Sequence, residues 1–319
     1  MTNLSDINII YLHKVSELYK INIWDSILYE KEGEKEMSFH QKPHTFVSQV
    51  ALRVNNILKS LRFYEEVLGF QVLTKSSMKA VLTADGKTPL VTLEQLSSPE
   101  PKQERKTGLY HFALLLPSRA ALGEIIRHLV KTGYPVQGAS DHLVSEAIYL
   151  ADPDGNGIEI YRDRSDANWE WNDDEVKMAT LPLDAQAVLA EATNEKWEGL
   201  PAHTVMGHIH LHVADLEETR AFYEKLGFDV VSSFPNQALF MSTGRYHHHI
   251  GVNIWNGRGA NAPSEKSPGM KYFTIEFPDE EKREVVVDRL KDIGAVISKE
   301  DQAIFTKDPS QNQIKLVVQ

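Results

Sequence analysis

The chain has 319 residues, enough for about two domains, and its 42% hydrophobic and 25% charged content excludes a disordered or fibrous protein. An excess of acidic residues gives a net charge of −11, which disfavours binding to nucleic acid or to anionic membranes. Because the chain has no cysteine, disulfides, thiolate nucleophiles and cysteine-ligated metals are excluded, and any metal must be held by histidine and carboxylate side chains.

The first 36 residues match nothing later in the chain and end in a charge run before Met37. They allow two interpretations: an N-terminal extension over residues 1–43, or a segment before Met37 that is not native, since its Glu-rich end back-translates to a purine-rich ribosome-binding sequence. The segment is left out of the fold prediction. The sequence contains no run of about 18 to 20 apolar residues and no secretory signal, so we expect a cytoplasmic protein.

The rest of the chain repeats itself. Residues 48–54, 61–65 and 68–72 recur about 159 positions later, within residues 207–213, 221–224 and 226–230. Each half also contains a second, weaker copy: residues 108–113 with 152–159, and residues 269–274 with 308–315. This predicts a tandem duplication with one half over residues 44–163, a structured linker over 164–204 and a second half over 205–319, each half holding two units.

Each unit shows the same predicted order of elements: an alternating strand, an amphipathic helix closed by glycine, and three short strands. In the second unit, apolar residues recur at helical spacing from Leu122 to Val130, and Gly133 ends the helix. One such sheet has an open face, so two units must pair to enclose a pocket. The sequence therefore predicts an α+β protein of four βαβββ units that pair into two cup-shaped half-barrels.

Histidines are concentrated in the third unit, where three alternate on one strand and three more follow consecutively: His208, His210, His212, His247, His248 and His249. Because residues i, i+2 and i+4 of a strand share a face, the first three point together. A solvated surface strand would explain a lone histidine, but it explains six poorly. His247 and His249 alternate away from His248 and are expected to face sheet packing or solvent, and His40 is expected at the surface.

The second unit contains a carboxylate, Glu159, that needs a cationic or hydrogen-bonding partner if it is buried. Glu159 lies between Ile158 and Ile160 on the last strand, and His111 lies on the first strand of the same unit. An unpaired buried carboxylate is costly, and a metal would supply the partner. Two imidazoles and one carboxylate on one side of a divalent ion leave three adjacent positions open, which suits non-haem Fe(II) enzymes that bind both a substrate and O2.

The four-unit pattern resembles the vicinal oxygen chelate superfamily, which includes glyoxalases, bleomycin-resistance proteins and extradiol dioxygenases. The segment from His142 through Tyr149 and the Asp-Pro-Asp-Gly turn at 152–155 to Glu159 resembles the extradiol ring-cleavage signature, with Ser140 as a small departure. Residues 207–213 and 246–255 are most similar to the Bacillus-type catechol 2,3-dioxygenases. A larger departure concerns order: the signature unit normally comes last, but here it comes second.

The resemblance implies a role for each matching residue. His111, His208 and Glu159 would be the metal ligands, with Fe(II) as the metal and Mn(II) as an alternative. His142 and Tyr149 would hydrogen-bond the substrate oxygens, and His248 would be the acid–base histidine. Two alternatives stay open: His210 in place of His208 as a ligand, and His248 as a further ligand.

The function implied is an extradiol dioxygenase that opens catechol or a substituted catechol with O2, without nucleic-acid or membrane partners and as a homo-oligomer. Two alternatives share the fold: a glyoxalase-type isomerase or lyase that uses Zn or Ni, and a metal-free protein that binds a small molecule. If units paired within each half, neither half would hold two histidines and a carboxylate, because the fourth unit has Tyr272 and Lys315 at those positions. We therefore predict that the second unit packs against the third, and the first against the fourth.

Overall fold

The computed structural model describes residues 38–194, 196–300 and 303–319. The two interpretations of residues 1–36 thus concern a segment outside the described residues. A 3-10 turn over Ser38–His40 precedes the first strand. None of the helices in these ranges is long and apolar enough to span a membrane.

The first half of the chain contains two units with the predicted order of elements. The first has β1 (Phe46–Val54), α1 (Ile57–Arg62, continued by a π turn over Phe63–Val67), β2 (Gln71–Lys75), β3 (Lys79–Thr83) and β4 (Val91–Gln95). The second has β5 (Gly108–Leu115), α2 (Arg119–Thr132), β6 (Gly138–Asp141), β7 (Ser145–Ala151) and β8 (Gly157–Asp163).

Short elements follow, and then two further units. The short elements are a 3-10 turn (Asp166–Asn168), β9 (Trp171–Asn172), β10 (Glu175–Val176), β11 (Leu181–Pro182) and α3 (Ala185–Ala190). The third unit has β12 (Val205–His212), α4 (Leu216–Lys225), β13 (Asp229–Phe234), β14 (Ala238–Ser242) and β15 (Ile250–Asn253). The fourth has β16 (Gly269–Phe277), α5 (Glu280–Asp292), β17 (Ser298–Glu300), β18 (Ala303–Lys307) and β19 (Gln313–Val318).

The helix of the second unit lies where its sequence pattern predicts, and its caps explain where it begins and ends. The Ser118 side chain caps its first turn by accepting a hydrogen bond from the Ala121 amide. Gly133 ends it with φ 69°, a left-handed conformation that glycine adopts without strain. Between them, the apolar side of the helix is buried, including Leu122 and Leu129.

Two mixed sheets are built across the halves and curl into half-barrels. One has the order β17-β18-β19-β16-β1-β4-β3-β2 and joins the fourth unit to the first. The other has the order β11-β6-β7-β8-β5-β12-β15-β14-β13 and joins the second unit to the third, with one strand of the linker at its edge. The predicted cross-half pairing is confirmed, with β5 and β12 antiparallel at the centre of the second sheet.

A single hydrophobic cluster includes side chains of all four units, among them Leu52, Phe112, Ile209 and Phe273. On β12, Ile209 and Leu211 belong to this cluster, so the alternating histidines of that strand project from its other face. The core thus occupies one side of the second sheet and leaves the concave side for polar chemistry.

Candidate metal centre

Three buried side chains with metal-binding atoms meet on the concave side of the second sheet: His111, Glu159 and His208. Their ligand atoms all lie within 4.8 Å of one another. Nε2 of His111 is 3.0 Å from Oε2 of Glu159, and Nε2 of His208 is 3.1 Å from the same oxygen. Within the described ranges, this is the one group of three or more such residues with the spacing of a metal site.

The register of three neighbouring strands explains the meeting. Ala113 of β5 pairs with Glu159 of β8 on one side and with His208 of β12 on the other. The three residues form a row across the sheet, and the small side chain of Ala113 leaves space between the two functional groups. His111 is two residues before Ala113 and therefore shares its face. The sheet order β8-β5-β12 thus places all three on one surface.

The geometry fits a bound metal ion. In an octahedral site with bonds of about 2.1 Å, adjacent donor atoms are roughly 3 Å apart, which matches the two distances to Glu159. In the described part of the chain, the buried Nε2 atom of His111 lies close to Glu159 without forming a hydrogen bond to it, and the buried Nδ1 atom of His208 has no hydrogen-bond partner. Buried nitrogens of this kind need a partner, and a metal would satisfy the one on His111.

The electrostatics favour the protonation states that a metal requires. Burial raises the pKa of Glu159, but the imidazoles of His208 and His111 outweigh it and hold that pKa well below its usual range. Burial lowers the pKa of His208 to about 4, against the opposing effect of Glu159. At neutral pH the set therefore offers a carboxylate and a neutral imidazole, which are the ligand forms.

A cavity of about 370 Å³ opens over this group. His111, Glu159, His142, Tyr149, His210 and His248 all line it. Its remaining walls are largely aromatic and apolar and include Tyr110, Phe234, Phe240, Trp255 and Met178. His208 lies beneath them and is 1% exposed. The cavity therefore has a polar floor with metal-binding groups and apolar sides.

His142 and Tyr149 form a hydrogen-bonded pair at the cavity wall. The Tyr149 hydroxyl is 2.6 Å from Nε2 of His142, and Nδ1 of His142 is 2.7 Å from the carbonyl oxygen of Ala179 in the linker. A carbonyl can only accept, so Nδ1 of His142 donates, and in the neutral imidazole Nε2 accepts from the tyrosine. Burial raises the pKa of Tyr149 well above its usual value, so the hydroxyl keeps its proton.

His248 and His210 also face the cavity. His248 lies two residues before β15, with its ring centroid 4.1 Å from that of His208. The Nε2 atom of His210 is 3.0 Å from the side-chain amide nitrogen of Asn253, and His210 is not part of the three-residue group. Burial lowers the pKa of both His210 and His248 well below the usual value, with neighbouring imidazoles acting in the same direction. Both rings are therefore neutral at physiological pH.

The structure thus brings all six predicted site residues to one cavity or to its floor. The expectation that His40 lies at the surface is wrong: it is 8% exposed, and its Nε2 lies 2.7 Å from the carbonyl oxygen of Gly207. For His247 and His249, which were expected to face either sheet packing or solvent, packing is what the structure shows, because both are fully buried. Aromatic neighbours, including Tyr246, enclose these rings and make burial favourable.

Some cavity residues were not identified from the sequence. Tyr110, Phe240 and Trp255 are ordinary core or surface aromatics by pattern, and no spacing rule sets them apart. Asp163 does not line the cavity, but it contacts His247 and was also not identified from the sequence. It lies four residues after Glu159 on the same strand. Strand alternation places it on the face of Glu159, a signal that could have identified it.

The chain belongs to the Glyoxalase/Bleomycin resistance protein/Dioxygenase superfamily, whose family model matches residues 46–160 and 205–316. It is similar to the protein named Catechol-2,3-dioxygenase from Bacillus subtilis (strain 168), with 44% identity over 276 residues that cover 85% of this chain and 96% of that relative.

Two solved structures share the fold. One is a candidate dioxygenase from Bacillus subtilis subsp. subtilis str. 168, with a TM-score of 0.60 and 13% identity, covering 86% of this chain and 84% of that one. The other is glyoxalase I from Zea mays, with a TM-score of 0.52 and 15% identity, covering 85% of this chain and 92% of that one. At these identities the two structures support the fold and not a particular activity.

Proposed function

We propose that this protein is an extradiol, meta-cleaving dioxygenase that opens the ring of catechol or a substituted catechol with O2 at a non-haem Fe(II) centre. The observation that carries the proposal is the group of His111, His208 and Glu159 on the floor of an aromatic cavity. The 44% identity to a relative named Catechol-2,3-dioxygenase supports the substrate class. Mn(II) accepts the same nitrogen and oxygen donors and is the alternative metal.

His111, His208 and Glu159 would hold the metal through two neutral imidazoles and one carboxylate. When bound, Fe(II) would supply a redox-active Lewis acid with open positions for the two vicinal oxygens of the diol and for O2. The side chains of the protein would bind the ring, orient it, exclude water and transfer protons.

The residues around the cavity fit those tasks. His248 would accept a proton from a catechol hydroxyl as a neutral base and return it later in the reaction. The oxygen of Tyr149, whose own proton is directed to His142, can accept a hydrogen bond from the second hydroxyl. The apolar walls would stack against the ring and keep water away from the reacting atoms.

The size of the cavity supports a small aromatic substrate. At about 370 Å³ it lies near the lower end of the range for small-molecule sites, roughly 300 to 1,000 Å³, which favours one ring with small substituents. Met178 of the linker is in the wall, so its side chain would limit the size of those substituents. Homo-oligomeric assembly and cytoplasmic location stay predictions.

Metal reconstitution tests the proposal. Metal-free protein would be loaded with Fe(II), Mn(II) or Zn(II) without oxygen, mixed with catechol and air, and followed by the yellow ring-opened product and by O2 uptake. We expect turnover with Fe(II), equal amounts of O2 and catechol consumed, and none with Zn(II). An O2-independent activity that requires Zn or Ni would instead identify a glyoxalase-type enzyme, and tight substrate binding without any metal would identify a binding protein.

A further inference from the structure

A line of hydrogen bonds leads from the cavity into the protein behind it. The Nδ1 atom of His248 is 2.8 Å from the Nδ1 atom of His247, and the Nε2 atom of His247 is 2.8 Å from Oδ1 of Asp163. His247 is fully buried, and the Asp163 side chain is 22% exposed. Asp163 is the last residue of β8, the strand that carries Glu159. The carboxylate is therefore connected to His248 through one imidazole, that of His247.

The proton positions follow from what each group can donate. A carboxylate only accepts, so Nε2 of His247 carries the proton that points to Asp163. In a neutral imidazole the other nitrogen then has no proton, and Nδ1 of His247 must accept. The proton between the two rings consequently belongs to Nδ1 of His248. For a neutral pair of rings, this hydrogen-bond geometry leaves Nε2 of His248 without a proton.

The surroundings keep Asp163 available for this contact. Its Oδ1 atom also lies 3.4 Å from the Tyr246 hydroxyl, which donates to it. Its chain neighbours Arg162 and Arg164 direct their guanidinium groups to the carboxylates of Glu146 and Asp141 instead. Within the described part of the chain, no Lys or Arg side chain forms an ion pair with Asp163, so its charge is directed at His247.

His247 is held in place by packing as well as by its two hydrogen bonds. Its ring centroid is 4.1 Å from that of Tyr246 and 5.2 Å from that of Trp169. Among the described residues, no protein group forms a hydrogen bond with Nε2 of His248, whose side chain lines the cavity. That nitrogen is therefore free to meet a bound molecule.

We infer that Asp163, acting through His247, is a positioning residue that holds His248 in the tautomer whose unprotonated Nε2 faces the cavity. The inference rests on the proposed function, in which His248 accepts a proton from a catechol hydroxyl. The opposite tautomer would place an N–H group against that hydroxyl and could not accept its proton. Asp163 and His247 do not touch the substrate and act only through the orientation and proton position of His248.

The tautomer can be observed directly. Nitrogen-15 NMR of histidine-labelled, full-length protein loaded with diamagnetic Zn(II) separates protonated from unprotonated ring nitrogens, and the His248→Asn and His247→Gln variants assign the signals. We expect a proton on Nδ1 and none on Nε2 of His248. Asp163→Asn presents an N–H group as readily as a carbonyl, so the preference should be lost or reversed. A proton on Nε2 of His248 in the unaltered protein would overturn the inference, whether or not any variant folds.

Steady-state kinetics give a second readout. In the Fe(II)-loaded enzyme, Asp163→Asn should lower kcat at least 10-fold, the effect expected when a base is held in the wrong tautomer, and should leave KM and iron content within threefold. Tyr246→Phe is the matched control, because it removes the other hydrogen bond to Asp163 and leaves the one to His247; kcat should change less than threefold. An unchanged kcat in Asp163→Asn would overturn the inference.

A double-mutant cycle separates positioning from general damage. If Asp163 acts only through His248, then Asp163→Asn should change kcat less than twofold in a protein that already carries His248→Asn. Losses that multiply would show that Asp163 acts elsewhere and would overturn the inference. Catechol turnover by the unaltered enzyme is measured first, so a failure of the proposed function is distinguished from a failure of the positioning role, and the NMR result requires no turnover.

Discussion

The Nε2 atom of His208 lies 3.1 Å from the Oε2 atom of Glu159, although the two residues belong to different halves of a duplicated chain. The contact exists because β12 of the third unit pairs with β5 of the second, so that one sheet crosses from half to half. A metal centre built in this way depends on both halves at once. Removing a ligand from either half should therefore have the same consequence.

Glu159→Ala should abolish metal binding and turnover and leave the fold near intact. The variant loses the one carboxylate of the group, and two neutral imidazoles hold a divalent ion much more weakly. Metal content after loading and gel filtration checks this, with Glu170→Ala at an exposed position as the control. Full iron stoichiometry in Glu159→Ala would refute the role of Glu159.

His208→Ala and His210→Ala should differ sharply, although the residues are neighbours on one face of β12. His208 lies beside Glu159, and its loss should remove the metal as completely as loss of Glu159 does. His210 contacts Asn253, so its variant should retain the metal. The measurement is the metal content of both variants after loading. Loss of metal in His210→Ala but not in His208→Ala would make His210 the ligand.

His248→Asn should keep its iron but turn over catechol roughly 10² to 10⁴ times more slowly, the usual scale for an acid–base group. Asparagine retains a hydrogen-bonding side chain but cannot accept the proton. The measurements are kcat at saturating catechol and iron per chain. Loss of iron from this variant would mean that His248 is itself a ligand.

Tyr149→Phe should lower kcat/KM roughly 10-fold, the loss expected when one hydrogen bond to a partly charged substrate oxygen is removed. Iron content should not change, since Tyr149 supplies no atom to the three-residue group. Tyr134→Phe is the control, because it removes a tyrosine hydroxyl that bonds a backbone carbonyl. Equal kcat/KM values for the unaltered enzyme and Tyr149→Phe would contradict a role in substrate binding.

His40 should make the stability of the protein depend on pH. Burial lowers its pKa to about 4 from 6.5, so between these values the unfolded chain binds more protons than the folded one. Stability therefore falls as the pH drops from about 6.5 to 4, by up to about 3 kcal/mol from this residue. Urea unfolding across this range checks it: His40→Gln, which does not titrate, should show a smaller loss. Parallel curves for the two proteins would contradict the effect.

Much of this protein is determined by local sequence. The repeated order of strand, helix and three strands follows from hydrophobic periodicity and glycine stops, and periodicity depends only on near neighbours. The types of residue in the site could also be predicted from the sequence. A single carboxylate between Ile158 and Ile160 is unusual in an otherwise apolar strand, and so is a row of alternating histidines. Even the pairing of units could be inferred, since only one arrangement brings two histidines and a carboxylate together.

Tertiary structure decided the rest. Pairing shifts flank the histidines of β12, between Met206 and His208 and between His210 and Leu211, and such irregularities help to set which histidine stands opposite Ala113 and beside Glu159. The carbonyl of Ala179, which orients His142, and the carboxylate of Asp163, which contacts His247, reach their partners from 37 and 84 positions away in the chain. Sequence periodicity reports which face a side chain occupies, but sheet register and long-range packing choose its neighbours, and those choices depend on the whole folded chain.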